Sequence, residues 1–224
     1  MKKIKNLILL IGLFIITSCN GRTDLETLKY NEKIAFVDNL EKDFSLYVPL
    51  EGIYRVKKIN KFKLFGISLK DDSIKFKNEG ATYSNILNIV VDSYKENKYL
   101  GFELEIIDEK LGNDFFEILK KRYGKPLKKY EYKDDKNIVI DYLWQNKSTN
   151  QIVLFKKNAE DGHTSLNGGE AILHQTRIII LKDGLSAKPD EKNPRNTQEK
   201  VDALLKSNPK AFDILEIFKS QIQD

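Results

Sequence analysis

The chain has one cysteine, two histidines, one tryptophan and five prolines in 224 residues, and each scarcity excludes something. A lone cysteine forms no internal disulfide, so core packing alone must hold any fold. Two histidines and one cysteine leave little material for a zinc-type ligand set, and no H-E-x-x-H, P-loop, G-x-S-x-G or dinucleotide fingerprint occurs. No stretch supplies the roughly 20 consecutive apolar residues of a membrane-spanning helix. Few prolines and glycines, with no repeat, rule out collagen-like and low-complexity chains. What is present is 41% hydrophobic and 10% aromatic residues, enough for one sizeable core. The formal net charge of +5 suggests nucleic acid at first sight. However, Lys2, Lys3 and Lys5 crowd the first residues, and without them the charge is about +2, so the electrostatic basis for that partner is largely gone. Lysine outnumbers arginine 33 to 5, a bias that weakens any argument from lysine number.

The first residues carry the sharpest pattern. Residues 1–6 hold three lysines and no acid, 7–16 are apolar apart from Gly12, and the small polar Thr17 and Ser18 precede Cys19. This is the layout of an export signal, with an apolar run too short to span a bilayer. The string Ile16-Thr17-Ser18-Cys19 resembles the lipobox of bacterial lipoproteins, with Ile16 where leucine is commoner. The resemblance covers only residues 1–19. It implies that the signal 1–18 is removed, that the Cys19 thiol carries a diacylglycerol group and that its freed amine takes a further acyl chain such as palmitate. Cys19 then anchors the protein to a membrane, which two or more acyl chains make effectively permanent. Asn20 in place of an aspartate implies, by the same resemblance, sorting to the outer membrane, facing the periplasm. Location outside the cytoplasm also disfavours nucleic acid.

The remainder divides by pattern. Residues 19–31 are polar and aperiodic and read as an acylated tether; 32–181 form one domain; 182–224 form a surface linker and C-terminal helices that pack on the same domain. Residues 32–44 are loosely helical, 45–56 suit a strand pair, and Phe65, Ile67 and Leu69 alternate. Residues 86–94 and 99–108 predict a hairpin across Lys95-Glu96-Asn97-Lys98. A helix follows, capped by Asn113-Asp114, with Phe116, Leu119 and Tyr123 on one face and Gly124 and Pro126 as its stop. Strands at 128–132, 138–145, 152–157 and 172–181 make a meander. Asn196 with Glu199 predicts a capping box, and Asn208-Pro209 opens a last helix whose Ala211, Leu215, Phe218 and Ile222 form an apolar stripe. The expected class is α+β: a mainly antiparallel sheet with one central packing helix and C-terminal helices on its second face.

Candidate chemistry is sparse. His163 and His174, with Asp161 and Glu170, form the one cluster of metal-ligand type, at a spacing of eleven that matches no ligand motif. His174, on a strand with Ile172, Thr176 and Ile178, reads as a partly buried structural histidine. Asp161-Gly162-His163-Thr164-Ser165 contains triad residue types, but contiguously, whereas working triads converge from separate elements. Asn167-Gly168-Gly169 leads into a strand, so it lacks the helix N-terminus that phosphate cradling needs. Glu103 and Glu105 lie about 7 Å apart on one side of a strand, a spacing paired-carboxylate hydrolases can use and half-solvated strands also show. Between Lys120 and Lys136, basic residues interleave with tyrosines. Tyr130, Tyr132, Tyr142 and Trp144 are the candidate binding surface, able to stack on sugars or meet anionic headgroups.

The expectation is a noncatalytic, membrane-anchored lipoprotein with a binding or envelope-assembly role, a protein or glycan partner, and no cofactor, metal or catalytic residue. Two alternatives stand beside it. One is an immunity or inhibitor lipoprotein against a toxin; the other is an enzyme using the loop 158–169.

Overall fold

The computed structural model describes residues 21–34, 36, 40–42, 52–77, 79–92, 97–134, 137–187 and 197–223. Cys19, the export signal and residues 35, 37–39 and 43–51 of the stretches 32–44 and 45–56 lie outside them. In chain order the strands are β1 (Thr23–Asp24), β2 (Glu41–Lys42), β3 (Ile53–Arg55), β4 (Phe62–Leu64), β5 (Ile67–Ser68), β6 (Ser73–Lys75), β7 (Thr82–Ser84), β8 (Ile86–Asp92) and β9 (Lys98–Ile106). Helix α1 (Glu109–Tyr123) follows, then β10 (Lys128–Lys133), β11 (Asn137–Asn146), β12 (Gln151–Thr164), β13 (Glu170–Lys182), α2 (Gln198–Ser207) and α3 (Ile214–Ser220).

The class is α+β, built on an eight-stranded sheet in the order β10-β11-β12-β13-β9-β8-β3-β2, whose pairings are antiparallel. The meander expected from turn chemistry is present: β11 to β13 run through tight connections, and Asn150 takes φ 56° in the β11–β12 turn. The β8–β9 hairpin also stands where the alternation put it. Period-two alternation then sends two apolar sets to opposite faces. One face carries Phe102, Leu104, Tyr142, Trp144, Phe155 and Ile178 against Phe115 and Leu119 of α1. The other carries Leu143, Ile152, Leu154, Ile179 and Leu181 against Ile214, Phe218 and Ile222 at the C-terminus.

Four local readings are corrected. Helix α1 starts a turn before Asn113: Asp108 is its N-cap, accepting from the Leu111 amide at 2.6 Å. Asn113 instead accepts from Lys157, 2.6 Å away. Phe65, Ile67 and Leu69 do not share one strand, because Phe65 and Gly66, both at positive φ, turn β4 into β5. Thr197 rather than Asn196 caps α2, and Asp213 caps α3, so Asn208-Pro209 begins a turn. The polar stretch after Gly21 is also more than a tether. β1 pairs in parallel with β4, and Leu25 is 2% exposed in the core.

Candidate functional site

The α1 face of the sheet is closed by apolar packing, but the opposite face is only half covered. Helix α3 reaches as far as Lys156, whose ammonium donates to the Gln221 carbonyl at 3.3 Å. Beyond it the inward positions become polar, and the ladder register aligns them. Glu105 stands opposite Arg177, Arg177 opposite Lys156, Lys156 opposite Asp141, and Asp141 opposite Tyr130, one row crossing five strands. In the next row Asn88 faces Glu103.

These charges are tied to one another. Lys156 Nζ lies 2.6 Å from Asp141 Oδ2. Arg177 pairs with Glu103, whose other oxygen accepts from Asn88 Nδ2 at 3.2 Å, and Arg177 Nε lies 3.8 Å from Glu105. Glu103 and Asp141 are buried. Burial pushes the Glu103 carboxyl above the ordinary carboxylate range, and the Arg177 guanidinium pulls against that shift. Two buried acceptors, Asn88 Oδ1 and Asp141 Oδ1, have no hydrogen-bond partner among the described residues.

Over this row lies a cleft of about 450 Å³, within the size range of ligand sites. Glu105, Arg177, Lys156, Asn158 and Gln175 line it on the sheet side, and Thr82, Tyr83 and Ser84 of β7 form the facing wall. The β6–β7 hairpin that carries this wall is pinned at its far end. His163 Nδ1 lies 2.7 Å from Glu79 Oε1, its ring stacks on Phe76 at 4.4 Å, and the Lys77 amide donates to the Thr164 carbonyl at 2.7 Å.

No protein-family model, curated protein or solved structure matches this chain. The site therefore has to be read from its own geometry.

The aromatic surface drawn from the sequence does not form. Tyr130 and Tyr132 point to one side of the sheet, Tyr142 and Trp144 to the other, because Tyr130 pairs with Asp141 and alternation puts Tyr142 on the opposite face. Trp144 is 1% exposed and its indole N–H donates to the Gly124 carbonyl at 2.9 Å. Tyr142 is buried against Phe116 and Trp144, with its hydroxyl on Glu131; burial and that hydrogen bond push it up to about 12. Tyr130 packs half-buried against the α3 side. Only Tyr132 is exposed, and it donates to Asp134.

The segment 158–169 is not a loop. β12 continues to Thr164 with an irregularity between Glu160 and His163, and β13 begins at Glu170, leaving a short turn in which Ser165 Oγ accepts from the Gly169 amide at 3.0 Å. His163 is engaged with Glu79, and the contiguous Asp-Gly-His-Thr-Ser run does not converge as a triad. His174 lies on the α1 side, 3.4 Å from Glu109, which also approaches the buried Lys157 at 3.7 Å. Among the described residues no group of three or more His, Cys, Asp or Glu is arranged to hold a metal ion, and no helix is long and apolar enough to cross a membrane. Glu103 and Glu105 do share a face, but Arg177 stands between them as a common partner.

Sequence reasoning missed Arg177, Lys156 and Asp141. Each occupies a core-facing position of a strand that elsewhere puts Leu or Ile there, and that break in the alternation was the available signal.

Proposed function

We propose that the chain is a noncatalytic, lipid-anchored binding protein of the bacterial envelope, held through Cys19 on the periplasmic side of the outer membrane, with the polar cleft as its recognition site. The anchor rests on the lipobox resemblance. The binding role rests on one observation, the cleft over a row of mutually paired charges. Lys156 lies 2.6 Å from Asp141 and Arg177 is paired with Glu103, so the polar groups of the floor hold one another in place. Such a row acts as a fixed hydrogen-bonding surface, and a rigid polar floor recognises a ligand without paying to reorganise first.

The test has two arms in the full chain expressed in a deletion strain. Cys19→Ser abolishes labelling by radioactive palmitate; labelling that survives removes the anchor. Ser84→Arg, which projects a long side chain into the cleft from its β7 wall, abolishes complementation at unchanged protein level and unchanged labelling. Full complementation by this variant would take the cleft out of the function.

A further inference from the structure

The floor of the cleft is a regular patch of the β12–β13 ladder. Asn158 stands opposite Gln175 and, two residues along each strand, Lys156 stands opposite Arg177. Neighbouring strands lie about 4.8 Å apart and alternate residues of one strand about 7 Å apart, so these four side chains mark the corners of a rectangle of about 5 by 7 Å. Glu105 of β9 adjoins the Arg177 corner. The side-chain amides of Asn158 and Gln175, unlike the charged groups beside them, have no hydrogen-bond partner among the described residues. Around this floor Thr82 and Ser84 contribute hydroxyls, and Tyr83, Ile86 and Ile106 an apolar border.

We infer that the cleft binds one neutral pyranose unit of a saccharide, with its hydroxyls on Asn158, Gln175, Lys156, Arg177 and Glu105 and its C–H surface toward Tyr83 and Ile86. The inference rests on reading the cleft as the recognition site and names the ligand class. Charge is the first restriction. Arg177 and Lys156 share the floor with Glu103, Glu105 and Asp141, and each cation already holds a carboxylate. An anion entering the cleft meets compensated cations with the Glu105 carboxylate beside them, and a cation meets Lys156 and Arg177, so a guest of either sign breaks pairs that a neutral one leaves intact. Hydrogen-bonding capacity is the second restriction. Glu105 accepts, Lys156 and Arg177 donate, and the two amides do both. A hydroxyl also does both, so a ring carrying several of them engages every corner of such a floor. A peptide backbone offers its polar groups in a line and engages one side of the rectangle. The pinned β6–β7 wall holds the border in place before the guest arrives.

The probes are methyl glucoside, methyl galactoside and methyl mannoside, added to the full chain in micelles of a detergent without a sugar head group, with binding read by saturation-transfer NMR. At least one of the three receives saturation at its ring protons, and a tenfold rise in salt leaves its Kd within about twofold, since screening acts on charge. The uronate of the same ring, and its amino sugar at a pH where the amine is charged, bind more weakly than the neutral glycoside. Asn158→Ala with Gln175→Ala weakens binding about tenfold or more, the loss expected of two hydrogen bonds, and Ser84→Arg abolishes it at an unchanged urea midpoint. No transfer to any of the three glycosides, tighter binding of a charged form, full binding by the double variant or transfer that survives Ser84→Arg overturns the inference. An acetylated, amidated trialanine that binds where the glycosides do not also overturns it, in favour of a peptide. Ser84→Arg that abolishes complementation in a protein to which no glycoside binds would leave the binding role standing and remove only this inference.

Discussion

Trp144 sits among the residues that sequence reasoning placed on a binding surface, and its burial changes what its removal tests. Its ring is closed in by Tyr123 and Tyr142, and its N–H is satisfied by Gly124 at the end of α1. Trp144→Ala therefore costs about 3–5 kcal/mol of stability, read as a shift of the urea midpoint by circular dichroism; a shift of a few tenths of that would place the ring outside the core. Glu103 is the second residue with a sign to check. Its folded carboxyl keeps a proton to higher pH than the unfolded one, so between the ordinary carboxylate range and that raised value the folded state holds more protons. Its contribution to stability therefore grows as pH falls through that window. The difference in unfolding free energy between Glu103→Gln and the parent shifts in favour of the parent from pH 7 to pH 5, and a difference that moves the other way refutes the assignment. Neither environment was legible in the sequence. An inward glutamate and an inward tryptophan obey the same alternation, and only the identity of the covering element tells them apart.

At the scale of elements, the long strands were legible because period two persists over five or more residues in β8, β9, β11, β12 and β13, and because Gly124 and Pro126 end α1. What was lost were short elements and starts. β4 and β5 are three and two residues long and are joined through a phenylalanine at φ 51° that pattern cannot reveal. The start of α1 was misplaced because Asn113 and Asp108 are both good caps, and the tertiary contact with Lys157 claims Asn113. The docking of α1 supplies a prediction at this scale. Gly112 faces Thr176 of β13 so closely that a Cβ would clash with the threonine hydroxyl. Gly112→Ala consequently pushes the helix off the sheet and costs about 1–3 kcal/mol despite the better helix propensity of alanine. Thr176→Ala removes the clashing hydroxyl, so the double variant is less destabilised than the sum of the singles, by 0.5 kcal/mol or more in a double-mutant cycle. Additive costs would show that the helix does not press on β13 at this point.

The whole molecule is a sheet with two unequal faces, and its N-terminal strand ties the body to whatever lies before it. Sequence reading made residues 19–31 a tether, since nothing in their polarity shows that Thr23 and Asp24 enter a ladder or that Leu25 enters the core. Asp24 also accepts from the Glu26 amide and pairs with Lys63 at 3.2 Å, and Glu26 pairs with Arg122 of α1, so the segment bridges the small β1-β4-β5 sheet and the helix. Two consequences follow for the intact protein. If Cys19 carries the proposed acyl anchor, three residues separate it from β1, four steps that reach at most about 14 Å at 3.3–3.6 Å per residue, so the proposal requires the body to lie close to the membrane surface instead of swinging on a long leash. The segment is also part of the cooperative unit. A chain beginning at Thr23 unfolds in urea in one transition seen alike by tryptophan fluorescence and circular dichroism. A chain beginning at Leu28, without β1 and the buried Leu25, loses about 2–5 kcal/mol on the scale of a deleted core leucine. Equal midpoints for the two chains would make 23–27 a tether after all, and separate transitions in the longer chain would mean that the two sheets do not fold as one body.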